Sequence, residues 1–195
     1  FPVETAKSLL RGLVANLRST DTFNIIPFAG GHSLFAPRSV PATRDNVDAA
    51  ARFIDRQRGG GSTELLAALR GALAMPSDPE RARSFVVITD GYVTIEKEAM
   101  DLVRASLGQA NVFAFGIGSS VNRFLIEGLA RAGRGEAFVV LNERAAAIEA
   151  DRFRAYIESP VLTGIAVSFR TFDAYDVDPP QLRDLFARRP LVASG

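Results

Sequence analysis

Two uninterrupted apolar runs constrain the fold of this chain more than any other feature. They are SFVVIT at residues 84–89 and NVFAFGI at residues 111–117, and each is bounded by polar residues. A strand with one solvated face alternates apolar and polar residues, whereas a strand covered on both faces is apolar throughout. The two runs therefore predict central strands of a parallel sheet with helices on both faces.

Strands and helices alternate along the first 158 residues. Helical periodicity predicts helices over the ranges 3–18, 44–58, 64–74, 95–107, 121–132 and 143–158. Apolar and β-branched residues predict further strands over 22–29, 32–36 and 136–141. This order predicts an α/β fold with an open, doubly wound, mostly parallel sheet.

Capping residues and breakers suggest where these segments begin and end. Thr43 is predicted to cap the helix that starts at residue 44, and Ser119 or Ser120 the helix that starts at 121. In the latter helix one stripe is predicted to face inward, namely Val121, Phe124, Leu125 and Leu129. After Pro160 the helical period is lost. We therefore expect a domain over 1–158, then a linker and the start of a β-rich module over 159–195.

Composition excludes several classes of function. The chain has 195 residues, no cysteine and a single histidine, His32, so disulfides, thiolate metal sites and multi-histidine sites are excluded. A net charge of +1 supplies no field that would attract nucleic acid or an anionic membrane surface. No stretch is long and apolar enough to insert into a bilayer. Nucleic acid and direct membrane insertion are therefore not expected.

Asp90 is the first candidate functional residue. It follows the run VVIT, and Gly91 allows the chain to turn sharply there. Ligands of open α/β sheets sit at the carboxyl ends of the strands, where we expect Asp90. The competing interpretation is that its carboxylate only accepts N–H groups of its own turn.

Two glycine-rich segments are further candidates. GGGSTEL at 59–65 is either an anion cradle at a helix start or a loop in which Ser62 or Thr63 caps the helix. FGIGSS at 115–120 superficially resembles a dinucleotide loop but lacks the third glycine, and its glycines are also expected where a helix packs closely on a strand. A serine hydrolase is disfavoured because Gly-x-Ser-x-Gly is absent.

Taken together, several segments resemble a von Willebrand factor type A domain, and among these the inter-alpha-trypsin inhibitor heavy chain-like proteins and their bacterial relatives. The segments are FPVETAKSLL (1–10), DTFNIIPFAGGHSLF (21–35), GGGSTEL (59–65), VVITDGYV (86–93), FGIGSSVNRFLIEGLARAGRGEAFVV (115–140) and PPQLRDLFARRPLVASG (179–195). The resemblance implies a divalent-cation site at the carboxyl edge of the sheet, built from three loops. It assigns Thr63 to the second loop and Asp90 to the third.

The sequence departs from the family pattern in the first loop. The Asp-x-Ser-x-Ser of that loop is absent, and in the family it would precede Phe1 at the end of a central strand. We expect another segment or another chain to fill the slot of that strand beside SFVVIT, or the helices to close over it. With one hydroxyl and one carboxylate, the resemblance implies weak binding of Mg²⁺, Mn²⁺ or Ca²⁺.

Three functional hypotheses follow. The first is a non-enzymatic, adhesion-type module that grips a protein partner through the cation, with an Asp or Glu of the partner completing the coordination. The second is an interaction or scaffold domain without a working metal site. The third is a hydrolase that uses the same crevice. The family resemblance alone favours an extracellular or cell-envelope location.

Overall fold

A computed structural model describes residues 2–28, 34–58, 64–78, 80–90, 96–108, 110–157, 160–162 and 185–186. The chain divides into two compact units, Phe1–Asp151 and Arg152–Gly195. In chain order the elements are α1 (Val3–Ala15), β1 (Thr22–Phe23), β2 (Val40–Pro41), α2 (Arg44–Arg56), α3 (Leu65–Ala74), β3 (Ser84–Thr89), α4 (Glu96–Ser106), β4 (Asn111–Ile117), α5 (Arg123–Ala132), β5 (Arg134–Val140), α6 (Glu143–Ile157), β6 (Pro160–Leu162) and β7 (Leu185–Phe186).

The sheet of the first unit confirms the parallel strands predicted from the two apolar runs, but it places only the second run in a central position among the described strands, whereas SFVVIT is an edge strand with exposed residues. Strands β3, β4 and β5 are parallel, lie in that order and cover the predicted ranges 84–89 and 111–117. All residues of β4 are buried, as expected of a central strand. Strand β3 pairs with β4 along one edge, and among the described residues no strand pairs with its other edge. Val86 of β3 is accordingly 36% exposed.

Two hydrophobic clusters formed by described residues stabilise the first unit. The larger one lies between the sheet and α3, α4 and α5, and its fully buried residues include Val112, Leu125, Ile126 and Leu129. The smaller one joins α1, α2 and the segment after β1, through Val14, Ile25, Ala50 and Ile54. The apolar stripes of the predicted helices therefore do face the interior in α1 and α2, which end a few residues earlier than expected. Thr43 caps α2 as predicted.

The strand predicted over residues 22–29 is wrong in extent. Only Thr22–Phe23 forms a ladder, and its partner is Val40–Pro41. The Asn24 side chain takes the place of further ladder bonds. Its Nδ2 donates to the Ala36 carbonyl over 2.8 Å, and its Oδ1 accepts the Ala36 N–H over 3.2 Å. Pro27 removes another backbone donor. The strand predicted over 32–36 is wrong for its described residues, 34–36, which form no ladder, although the Phe35 N–H donates to the Ile25 carbonyl over 3.0 Å. Residues 29–33, with the predicted turn and His32, lie outside the described residues.

Two predictions for α5 are wrong. The helix is capped by Asn122 rather than by Ser119 or Ser120. Phe124 does not face inward: it is 72% exposed, while Leu125, Ile126 and Leu129 are fully buried. The helix starts two residues later than predicted, and its buried residues are Leu125, Ile126, Leu129 and Ala130, so Phe124 lies on the opposite face.

The second unit contains β6 and β7, which pair antiparallel. The domain boundary expected near residue 158 stays a prediction. None of the helices described in this chain has the length and apolar character needed to cross a membrane.

Candidate functional site

Asp90 lies at the carboxyl edge of the sheet. It directly follows Thr89, the last residue of β3, which is 3% exposed and stands in register with Gly116 of β4. The end of β4 is joined to the end of β5 by the Gly118 N–H, which donates to the carbonyl of Val140 over 2.9 Å. The ends of β3, β4 and β5 thus form one edge, where Asp90 is half-buried. This is the position that the sequence predicted for it.

The glycine-rich turn after β4 brings α5 close to the sheet. A Cβ atom at Gly116 would collide with the Val121 side chain and would lie 2.8 Å from Ile126 Cδ1. This absence of space supports the interpretation of FGIGSS as a site of close contact between helix and strand. Gly118 has φ +100°, a left-handed conformation that favours glycine. A Cβ at Gly118 would lie 3.2 Å from Pro2 Cγ, so the start of α1 reaches the same edge.

Asn122 joins the end of β3 to two helices. Its backbone N–H donates to the Asp90 carbonyl over 3.4 Å. Its Oδ1 accepts the Leu125 N–H over 3.1 Å, which caps α5. Its Nδ2 donates to Glu96 Oε1 over 2.9 Å, at the first residue of α4. Sequence reasoning missed both Asn122 and Glu96; the signal was an asparagine immediately before a helical period, which is a strong N-cap.

Thr63 lies outside the described residues, as does the rest of 59–63. Its neighbour Glu64 is the residue before α3, and the Glu64 N–H donates to the Phe28 carbonyl over 3.0 Å. The pairing of Thr63 with Asp90 therefore stays a prediction.

The oxygen atoms near Asp90 are of the chemical type that binds hard cations. Carboxylate, amide and hydroxyl oxygens are the ligands that Mg²⁺ and Ca²⁺ select. Within the described part of the chain, however, no group of three or more His, Cys, Asp or Glu residues could hold a metal ion. Asp90 and Glu96 both contact Asn122, so oxygen donors do converge at this edge without forming a closed shell.

Comparison with known proteins identifies the domain type that the sequence analysis expected. A family model described as von Willebrand factor type A domain matches residues 2–139. A von Willebrand factor A domain-containing protein of Dictyostelium discoideum is 26% identical over 192 residues, which cover 98% of this chain and 21% of that protein. Inter-alpha-trypsin inhibitor heavy chain H3 of Bos taurus is 22% identical over 206 residues, which cover 99% of this chain and 23% of that protein. The chain thus spans about a fifth of the length of these curated relatives.

Solved structures share the fold. A von Willebrand factor type A structure from Catenulispora acidiphila aligns with a TM-score of 0.69 at 17% identity, over 79% of this chain and 38% of that one. Proximal thread matrix protein 1 from the mussel byssus, described with a zinc-occupied MIDAS motif, aligns with a TM-score of 0.55 at 17% identity, over 76% of this chain and 39% of that one.

Proposed function

Because this chain belongs to the von Willebrand factor type A domain family, we propose that it is a protein-interaction module that binds a partner through a divalent cation at the carboxyl edge of its sheet. The observation that carries the proposal is the position of Asp90, half-buried at the end of β3 and bonded through its carbonyl to Asn122. The zinc-occupied MIDAS motif of the mussel protein shows that one structural neighbour holds a divalent ion.

Thr63 and Asp90 are the residues that we propose hold the ion, which is Mg²⁺ or one of its relatives Mn²⁺ and Ca²⁺. A bound cation would supply a positive charge that its few protein ligands do not neutralise. Such a site favours an Asp or Glu carboxylate offered by a protein partner. It grips that partner and transfers no group, so the module is proposed to be non-enzymatic.

The surface next to Asp90 also suits a protein partner. Phe124 follows Asn122 by two residues and exposes 72% of its surface, on the first turn of α5. Exposed aromatic side chains commonly anchor protein interfaces, and a charged contact beside an aromatic anchor gives both orientation and affinity. An extracellular or cell-envelope location agrees with this role and rests on the family resemblance alone.

The edge of β3 with which no described strand pairs is a second contact surface in the same proposal. The run SFVVIT contains neither charge nor proline, the features that natural edge strands use to prevent pairing. We propose that a strand of another chain pairs with this edge. Main-chain hydrogen bonds along it would add affinity, as in other complexes formed by strand addition.

A calorimetric titration of Mn²⁺ and Mg²⁺ into the chain tests the cation site. We expect binding that weakens by at least about tenfold, ~1.4 kcal/mol, in Asp90→Ala. Asp48→Ala is the matched control, since Asp48 is an exposed aspartate of α2. Equal binding by wild type and Asp90→Ala would place any ion elsewhere. Absence of binding in the wild type would favour the alternative, a scaffold domain without a working metal site.

A hydrolase using the same crevice is the remaining alternative. It would require turnover of a phosphorylated or acyl substrate that is lost in Asp90→Ala. The described edge supplies carboxylates and an amide at Asp90, Glu96 and Asn122. That set can bind and orient a cation or a polar group, which favours the binding function.

A further inference from the structure

Asn122 occupies the one point in the described edge where the end of β3, the start of α4 and the start of α5 meet. It makes a separate bond to each: to the Asp90 carbonyl, to Glu96 Oε1 and to the Leu125 N–H. We propose that Asn122 is a positioning residue, which holds Asp90 and Glu96 in a fixed relation at the candidate cation site. The test of this inference by metal affinity rests on the proposed function, whereas its test by hydrogen exchange does not.

Helix capping does not account for this residue. A cap needs only a side-chain oxygen, which serine, threonine and aspartate supply as well as asparagine. The bond to Glu96 needs a donor at a second atom, which a single hydroxyl does not offer, whereas an asparagine side chain carries an acceptor oxygen and a separate donor nitrogen. The Asn122 amide uses both, at 3.1 Å to the Leu125 N–H and 2.9 Å to Glu96. The asparagine side chain therefore supplies both hydrogen bonds that join the start of α4 to the start of α5.

The burial of the three groups makes the link effective. Asp90, Glu96 and Asn122 are all half-buried, so water competes less for their hydrogen bonds than at an exposed surface. A neutral amide donor on Glu96 also leaves the negative charge of the edge unchanged, which a lysine or arginine would cancel. Asn122 thus holds the Glu96 carboxylate through its side chain and the Asp90 main chain through its N–H, without neutralising the charge that a cation requires. Outer-shell hydrogen bonds of this kind commonly decide metal affinity.

The chain offers a matched pair of substitutions. Asn122→Ser keeps a capping oxygen for α5 and removes the amide nitrogen that donates to Glu96. Asn142 is a second asparagine before a helix; its Oδ1 accepts the Ala145 N–H over 3.0 Å at the start of α6. Asn142 is exposed. Asn142→Ser therefore makes the same chemical change at a cap away from Asp90 and Glu96.

Two measurements on the full chain distinguish positioning from capping. The first is Mn²⁺ affinity by calorimetry, which we expect to fall by about tenfold in Asn122→Ser. The second is amide hydrogen exchange in α4 without metal, which we expect to accelerate by about fivefold because its first residue loses a bond. Asn142→Ser is expected to change neither quantity.

The outcomes separate this inference from the cation proposal. If the wild type binds no Mn²⁺ while exchange in α4 still accelerates only in Asn122→Ser, positioning holds and the cation proposal fails. If Asn122→Ser leaves both Mn²⁺ affinity and exchange unchanged, Asn122 merely caps α5 and the inference is overturned. Equal effects of Asn122→Ser and Asn142→Ser would also overturn it, since they would arise from helix capping in general.

Discussion

Replacing Gly116 with alanine tests whether the candidate site depends on close contact between β4 and α5. The new Cβ would collide with the Val121 side chain and lie 2.8 Å from Ile126 Cδ1. Ile126 is fully buried. Val121 is β-branched and therefore stiff at χ1, and it directly precedes Asn122.

The expected magnitude combines two opposing effects. Overpacking a well-filled interior costs about 1–3 kcal/mol. Alanine regains about 0.5–1 kcal/mol relative to glycine, because it loses less conformational entropy on folding. We therefore expect Gly116→Ala to lower the free energy of unfolding by about 1–2 kcal/mol. Gly71→Ala is the matched control: Gly71 lies within α3 and has no atom within 4 Å of an added Cβ, so only the gain of about 0.5–1 kcal/mol remains.

Urea unfolding of the two variants gives the free energies, and with a slope of about 1–3 kcal/mol per molar the midpoints should separate by about 1 M or more. Adding Val121→Ala to Gly116→Ala should recover part of the loss, because it removes the methyl groups that the new Cβ meets. A Gly116→Ala protein as stable as Gly71→Ala would refute the close contact. The glycines of FGIGSS would then need another explanation, such as a ligand.

Two further predictions concern the exposed apolar residues. In thermal unfolding, Phe124→Ala should change the free energy of unfolding by no more than about 0.5 kcal/mol. Phe115→Ala should lower it by about 3–5 kcal/mol, because Phe115 is fully buried and stacks on Phe138 with ring centroids 4.7 Å apart. Similar losses in the two variants would mean that Phe124 belongs to the core. If a second copy of this chain supplies the pairing strand, Val86→Lys should reduce concentration-dependent self-association in sedimentation velocity, whereas Ile148→Lys on α6, at a residue 61% exposed, should not. A wild-type chain that stays monomeric at all concentrations, or equal effects of both lysines, would contradict pairing between two copies at this edge.

Strands β3 and β4 and the order of elements could be read directly from the sequence. SFVVIT and NVFAFGI form parallel strands at the predicted residues, and NVFAFGI is buried throughout, as expected of an apolar strand covered on both faces. The helix capped by Thr43 could also be predicted from the sequence, since its cap is a local interaction of neighbouring residues. The position of Asp90 follows from the same local logic, because a residue after a parallel strand lies at the carboxyl edge.

Tertiary contacts decided the rest. The Asn24 side chain, bonded to Ala36 across 12 residues of sequence, shortened a strand that propensity alone extended. Asn122 rather than Ser119 or Ser120 caps α5, since its amide meets both Leu125 and Glu96, and Phe124 lies exposed on the face opposite the buried residues. The sequence by itself determined the strands, most helices and the edge that carries Asp90, because those depend on periodicity and on neighbouring residues. Only the folded chain determined which residues join that edge to its helices, because the partners are distant in sequence and meet only when the sheet has formed.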